Sequence, residues 1–152
     1  MTPNPSQGYT RPQNPQDRPK DFVVDEIRAE INKLPGMKAL KPEKFAEPGG
    51  LAERFASDMK DKLKATQLRR FFHEVKDLKL AFETSGFDRS KIAMLMPMLA
   101  YAKGRKVIPD SFYELMTLCF GSQKCRDKDD FDRAVDFLEA ILAYHKMFAR
   151  NA

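Results

Sequence analysis

Apolar side chains recur every three or four positions along most of the chain, the period of helices buried on one side. The first stripe, Val23, Val24, Ile27, Ile31 and Leu34, predicts a short amphipathic helix capped by Asp21 and ended by Pro35-Gly36. A loop is expected through Pro42 and Pro48-Gly49-Gly50. Leu51, Ala52, Phe55, Ala56, Met59 and Leu63 mark a second helix. A third, capped by Thr66, carries Leu68, Phe71, Phe72, Val75, Leu78 and Phe82 and ends near Gly86. Asp88 or Ser90 opens a fourth that stops at Gly104. Pro97 should kink or split it, because proline lacks the N–H its turn requires. Pro109-Asp110 starts a fifth, with Phe112, Tyr113, Leu115, Met116, Leu118 and Cys119, ending at Gly121. An aspartate between 127 and 130 caps the last and longest helix, which continues to about Ala149. No stretch alternates like a strand, and no internal repeat is visible. The pattern predicts an all-α fold: a helical bundle of about five main helices plus an N-terminal amphipathic helix.

Composition divides the chain. Residues 1–19 hold five of the ten prolines, with Gln, Asn and Ser, and are expected to be a disordered tail. Residues 20–49 are expected to form the N-terminal helix and loop, and residues 50–152 the helical bundle. At 152 residues and 42% hydrophobic, the chain suits one domain with a real core, for which twelve Phe and eight Met supply the bulk. The first ten residues contain no apolar stretch and are expected to be no signal peptide. The longest nearly unbroken apolar run, Ile92 to Ala102, is about half the ~20 residues a bilayer requires. A cytoplasmic protein with no membrane contact is expected. Cys119 and Cys125 do not have CxxC spacing and read as two reduced, partly buried thiols.

Charge changes the picture further. The net charge is +5, but residues 1–59 balance nine basic against nine acidic side chains. Residues 60–106 carry twelve basic and five acidic ones, a net of +7, and residues 107–152 six and eight, a net of −2. A middle third this basic is the footprint of a polyanion site, although a solvated Lys-rich surface has the same composition.

Catalytic chemistry is not visible. His73 and His145 lack metal-binding or acid–base spacing, and His145 projects onto the apolar face of the last helix as a hydrogen-bonded core residue. Phosphate-binding glycine loops and nucleophile elbows are missing. Asp127, Asp129, Asp130 and Asp132 lack the glycine and terminal Glu of a calcium loop and sit where helix caps belong. The expectation is no enzyme, no metal and no cofactor.

On the third helix Arg70 is expected to pair with Glu74, four residues on. Arg69, His73 and Lys76 are read as a separate acid-free stripe beside the apolar face, free to meet an outside anion. Lys62 and Lys64 precede the helix start, where backbone N–H groups favour phosphate. A second basic group, Lys103-Gly104-Arg105-Lys106, follows the fourth helix. Without an aromatic-rich sheet motif, backbone binding is expected rather than base stacking.

Three stretches, TQLRRFFHEV (66–75), LAYAKGR (99–105) and FLEAILAYHKMF (137–148), occur in the order and spacing of the small subunit of type III-A CRISPR effector complexes, the Csm complex. The chain resembles that family over residues 50–149. The resemblance implies an all-helical bundle without nuclease activity, whose copies stack and line the path of guide and target RNA. It implies partners of three kinds: single-stranded target RNA with the guide–target duplex backbone, the other subunits, and further copies as a stack or homodimer. By position it implicates Gln67, Arg69 and Arg70 in the first stretch and Lys103 and Arg105 in the second, with Lys146 a further contact in a mainly structural third. Charge adds Lys64, Lys76 and Lys106 as RNA-binding candidates. Two rival readings are a helical protein–protein scaffold whose basic patch meets an acidic partner, and a metal-dependent nuclease.

Overall fold

The computed structural model describes residues 19–148, which are mostly helical and contain no strand. Apart from Pro19, the expected tail lies outside the described residues. The elements are α1 (Pro19–Asn32), a 3₁₀ turn (Met37–Ala39), α2 (Pro42–Phe45), α3 (Leu51–Met59), α4 (Ala65–Ser85), α5 (Arg89–Ala93), α6 (Leu95–Gly104), α7 (Asp110–Phe120) and α8 (Lys128–Phe148). The long α8 is the centre of the bundle and packs against α3, α4 and the 3₁₀ turn. It buries Phe131, Ala134, Val135, Phe137, Leu138 and Ile141, too broad a face for one neighbour. Phenylalanine rings fill the gaps edge to face, with Phe131 5.1 Å from Phe82 and 5.9 Å from Phe120, and Phe137 5.3 Å from Phe45.

Several boundaries differ from those read in the sequence. Asp21 lies inside α1, which begins at Pro19. Thr66 does not cap α4. Lys64 holds that position in extended conformation, without a side-chain cap bond. The turn before it is set from a distance, by His145 on α8. That residue is buried, and its Nε2 lies 2.8 Å from the Leu63 carbonyl, to which it donates as the expected core histidine. The expected loop from residue 37 to residue 45 contains a 3₁₀ turn and the short α2, because Met37, Leu40 and Phe45 are buried there. Elements this short show no periodicity to read.

Pro97 acts as expected. It has no N–H to offer the Ala93 carbonyl, and the fourth helix breaks into α5 and α6 at Met94. Asp88 caps α5 by accepting from the Ser90 N–H at 3.0 Å. Asp127 likewise opens α8, its Oδ1 accepting from the Asp130 N–H at 2.9 Å. Asp130 itself is buried and accepts from the backbone N–H groups of Lys38 (2.9 Å) and Arg126 (3.0 Å). It thereby ties the 3₁₀ turn to the start of α8. Gly36 lies so close that a Cβ there would sit 2.6 Å from Asp130 Oδ1. Both cysteines are free and buried. Desolvation raises both thiol pKa values, that of Cys125 to about 12.

Candidate nucleic-acid interface

Leu68, Phe71, Val75 and Phe82 are the buried residues of α4, with Phe72 and Leu78 only half-buried. That places the centre of the buried face near Phe71 and Val75. At about 100° per residue, Gln67 and Glu74 then flank the buried face on one side, Arg70 and Arg69 stand about equally far round on its two sides, both exposed, and His73 lies opposite it. The expected placing of Arg69, His73 and Lys76 beside the apolar face, with Arg70 and Glu74 opposite it, is not what is found: Glu74 flanks the buried face and His73 lies opposite it. The expected Arg70–Glu74 pair is not formed, since no ion pair links the two. Lys76 leans over the Phe72 ring, 5.7 Å from its centre.

Gln67, Arg70 and Glu74 of α4 face Met98 and Tyr101 of α6, and Arg105 just after it, across a cleft of about 150 Å³. The buried Phe71, Leu99 and Phe112 also line this cleft. Arg105 lies 5.7 Å from the centre of the Tyr101 ring. A second, open hollow of about 740 Å³ is lined by Lys62, Lys103, Lys106, Asp110 and Tyr113. The Lys103 ammonium stands 4.6 Å over the Tyr113 ring. The turn Lys103-Gly104-Arg105-Lys106 therefore divides its charges between two neighbouring depressions. It can do so because Lys106, rather than Gly104, takes the left-handed conformation that closes α6, with φ 63°. The Lys106 N–H bonds to the Lys103 carbonyl (2.9 Å) and the Val107 N–H to that of Ala102 (3.1 Å).

Of the candidates, Gln67, Arg70 and Arg105 meet in the cleft, and Lys103 and Lys106 meet Lys62 in the open hollow. Lys64 lines a third depression with Lys60, Asp61 and His145. Arg69 and Lys76 line neither of the first two, and Lys146 is exposed on α8 away from them. Glu74, expected only as a partner for Arg70, completes the cleft together with Tyr101, which sequence reasoning missed although its four-residue spacing from Arg105 in LAYAKGR is a helical-neighbour signal.

Among the described residues, none of the eight cationic candidates is ion-paired. Elsewhere Arg28, Arg54, Lys79, Lys128 and Arg133 each reach a carboxylate. Not every cation of the basic stretch is available. Lys62 pairs with Asp58 at 3.7 Å, and Arg89 donates to the carbonyls of Phe120 (2.9 Å) and Cys125 (3.1 Å). Among the described residues of the basic stretch, cations without an ion pair stand on α4 and at the end of α6, and also at Lys60, Lys64 and Lys91.

Together these features define a small all-helical protein with a basic surface. Among the described residues, no cluster of His, Cys, Asp or Glu is placed to hold a metal, and no helix is long and apolar enough to cross a membrane. The family model for Csm2 Type III-A matches residues 43–151, and the chain belongs to that family, the small subunits of type III-A CRISPR effector complexes. The family is in general one of structural, non-catalytic subunits, and membership makes the other subunits of the complex its partners. Searches among curated proteins and among solved structures gave no match.

Proposed function

We propose that this subunit, in the cytoplasm, holds the phosphate backbone of target RNA against the guide while other subunits act on it, and that it works as stacked copies or a homodimer. The observation that supports this best is the set of un-neutralised cations gathered on α4 and the end of α6, with Arg70 and Arg105 converging from positions 35 residues apart. Each cation that meets a phosphate releases condensed counterions, which gives affinity without reading sequence. Sequence is then read by guide–target pairing, as in other RNA-guided systems. Stacking multiplies contacts that are weak in one copy. Contacts of this kind need residues 50–152 and assign no RNA contact to the tail.

The test is fluorescence anisotropy with two unrelated single-stranded RNAs across a salt series, on the free chain and on the assembled complex. Replacing Arg70 and Arg105 together by Ala should weaken both RNAs alike and flatten the plot of log affinity against log salt by about one contact per residue removed. Arg69→Ala, outside the cleft, should have the smaller effect. Unchanged affinity and salt slope for the double variant in the assembled complex would sink this assignment.

A further inference from the structure

The cleft between α4 and α6 is not built as a simple phosphate cradle. Such cradles consist of donors and positive charge. Here Glu74 and Gln67 line the cleft beside Arg70 and Arg105. A carboxylate repels phosphate and accepts from N–H groups, which nucleobases carry on their edges. An amide can both donate and accept, which also suits a base edge.

The other wall supplies an aromatic surface. Tyr101 is 69% exposed, and Arg105 stands within cation–π distance of its ring. Helix α6 contains no acidic residue, and its open side presents Met94, Pro97 and Tyr101. A helix that is apolar all round is normally covered. Here the flanking arginines fit an anionic polymer as the cover, and an exposed aromatic beside arginine is how single-stranded nucleic acids are stacked.

The geometry points to a base pocket: one unpaired nucleobase of the bound RNA stacks on Tyr101 with its edge toward Glu74 and Gln67, and Arg70 and Arg105 hold the adjoining phosphates. This rests on the RNA-binding role proposed above and adds a contact that backbone holding does not require. Stacking on an aromatic face is tolerant of base identity, so sequence need not be read.

The experiment uses the full chain at low salt with a short single-stranded RNA, and with the same ribose–phosphate strand lacking its bases. Wild-type protein should bind the intact strand about tenfold more tightly than the abasic one. Tyr101→Leu should reduce the intact strand to about the abasic level and affect abasic binding far less, whereas Tyr101→Phe should keep the preference. Tyr101 is exposed, so the variants should retain the wild-type helical signal, which circular dichroism checks. Equal wild-type affinity for the two strands, or an equal loss on both with Tyr101→Leu, overturns the base pocket. The Arg70→Ala, Arg105→Ala double variant separates the two ideas. If it weakens binding of the abasic strand, the backbone role stands even when the pocket falls. If neither strand binds wild-type protein at low salt, either as the free chain or in the assembled complex, both fall.

Discussion

Lys106 shows a single residue strained at the candidate site. Among the described residues it alone has a left-handed backbone without being glycine. That conformation costs an L-residue about 1–2 kcal/mol. Lys106→Gly should therefore raise stability by about 0.5–1 kcal/mol, less than the full strain because glycine loses more freedom on folding. The same change should weaken RNA binding if the ammonium matters more to function than to folding. Thermal melts and anisotropy on one variant check both signs, and a fall in both would remove the idea of stored strain. The cysteines make a second residue-scale case. Burial keeps both thiols protonated, so neither should react with a thiol reagent in native protein at neutral pH, and both should react once it is unfolded. The unfolded chain loses these protons near pH 9, whereas folded Cys125 keeps its proton to about 12 and Cys119 holds its own more firmly still, so stability should decline as pH rises above 9. Equal labelling of native and unfolded protein would contradict this. Burial of Cys119 and of His145 was legible because both lie on the apolar stripe of a helix, whereas Cys125, set between Lys124 and Arg126, carried no such signal. Which of Arg69 and Arg70 faces the cleft was not legible, because the two stand about equally far round α4 on either side of its buried face and only the position of α6 chooses between them.

At the scale of elements, the join between the 3₁₀ turn and α8 is held by few groups. Asp130→Ala would leave two part-buried backbone N–H groups without their acceptor, a loss of about 1–3 kcal/mol. Gly36→Ala should also destabilise, since its Cβ would displace the same carboxylate. Denaturant unfolding measures both, and their combination should be less than additive because they break one join. Asp127 adds a pH dependence. Its bond from Lys38, with help from the Asp130 N–H, holds its carboxyl below the ordinary carboxylate range. The stability it contributes is therefore present above the usual aspartate pKa and is lost as pH falls through the lowered one. Asp127→Asn should make unfolding less sensitive to acid, and an unaltered acid limb would speak against the bridge. The capping aspartates were readable because caps depend on neighbours one to three residues away. The buried role of Asp130 was not, since its partner Lys38 lies 92 residues distant.

The whole molecule raises a question of minimal size. The family match begins at residue 43, yet Val24, Ile27, Ile31, Met37 and Leu40 are all buried in the common core. At about 1.5–3 kcal/mol for each, their loss is on the order of 10 kcal/mol, which rivals the total of about 5–15 kcal/mol typical of a domain. Deleting residues 1–42 should therefore give a chain that aggregates or lacks a cooperative melt, even though every family-matched residue is retained. A cooperative transition near the wild-type midpoint would show that the N-terminal segment is dispensable.

By itself the sequence determined the all-helical class, most helix ends, the break at Pro97, the basic middle third and the family. Periodicity, proline chemistry, capping and composition act over a few residues and need no knowledge of the rest. Only the tertiary structure decided how α1 and the 3₁₀ turn join the core and which cations share a depression. It also decided that Arg70, Arg105, Glu74 and Tyr101 face one another. Those outcomes depend on the rotation of α4 about its axis and on the path of the turn after α6, which are set by packing between segments far apart in the chain.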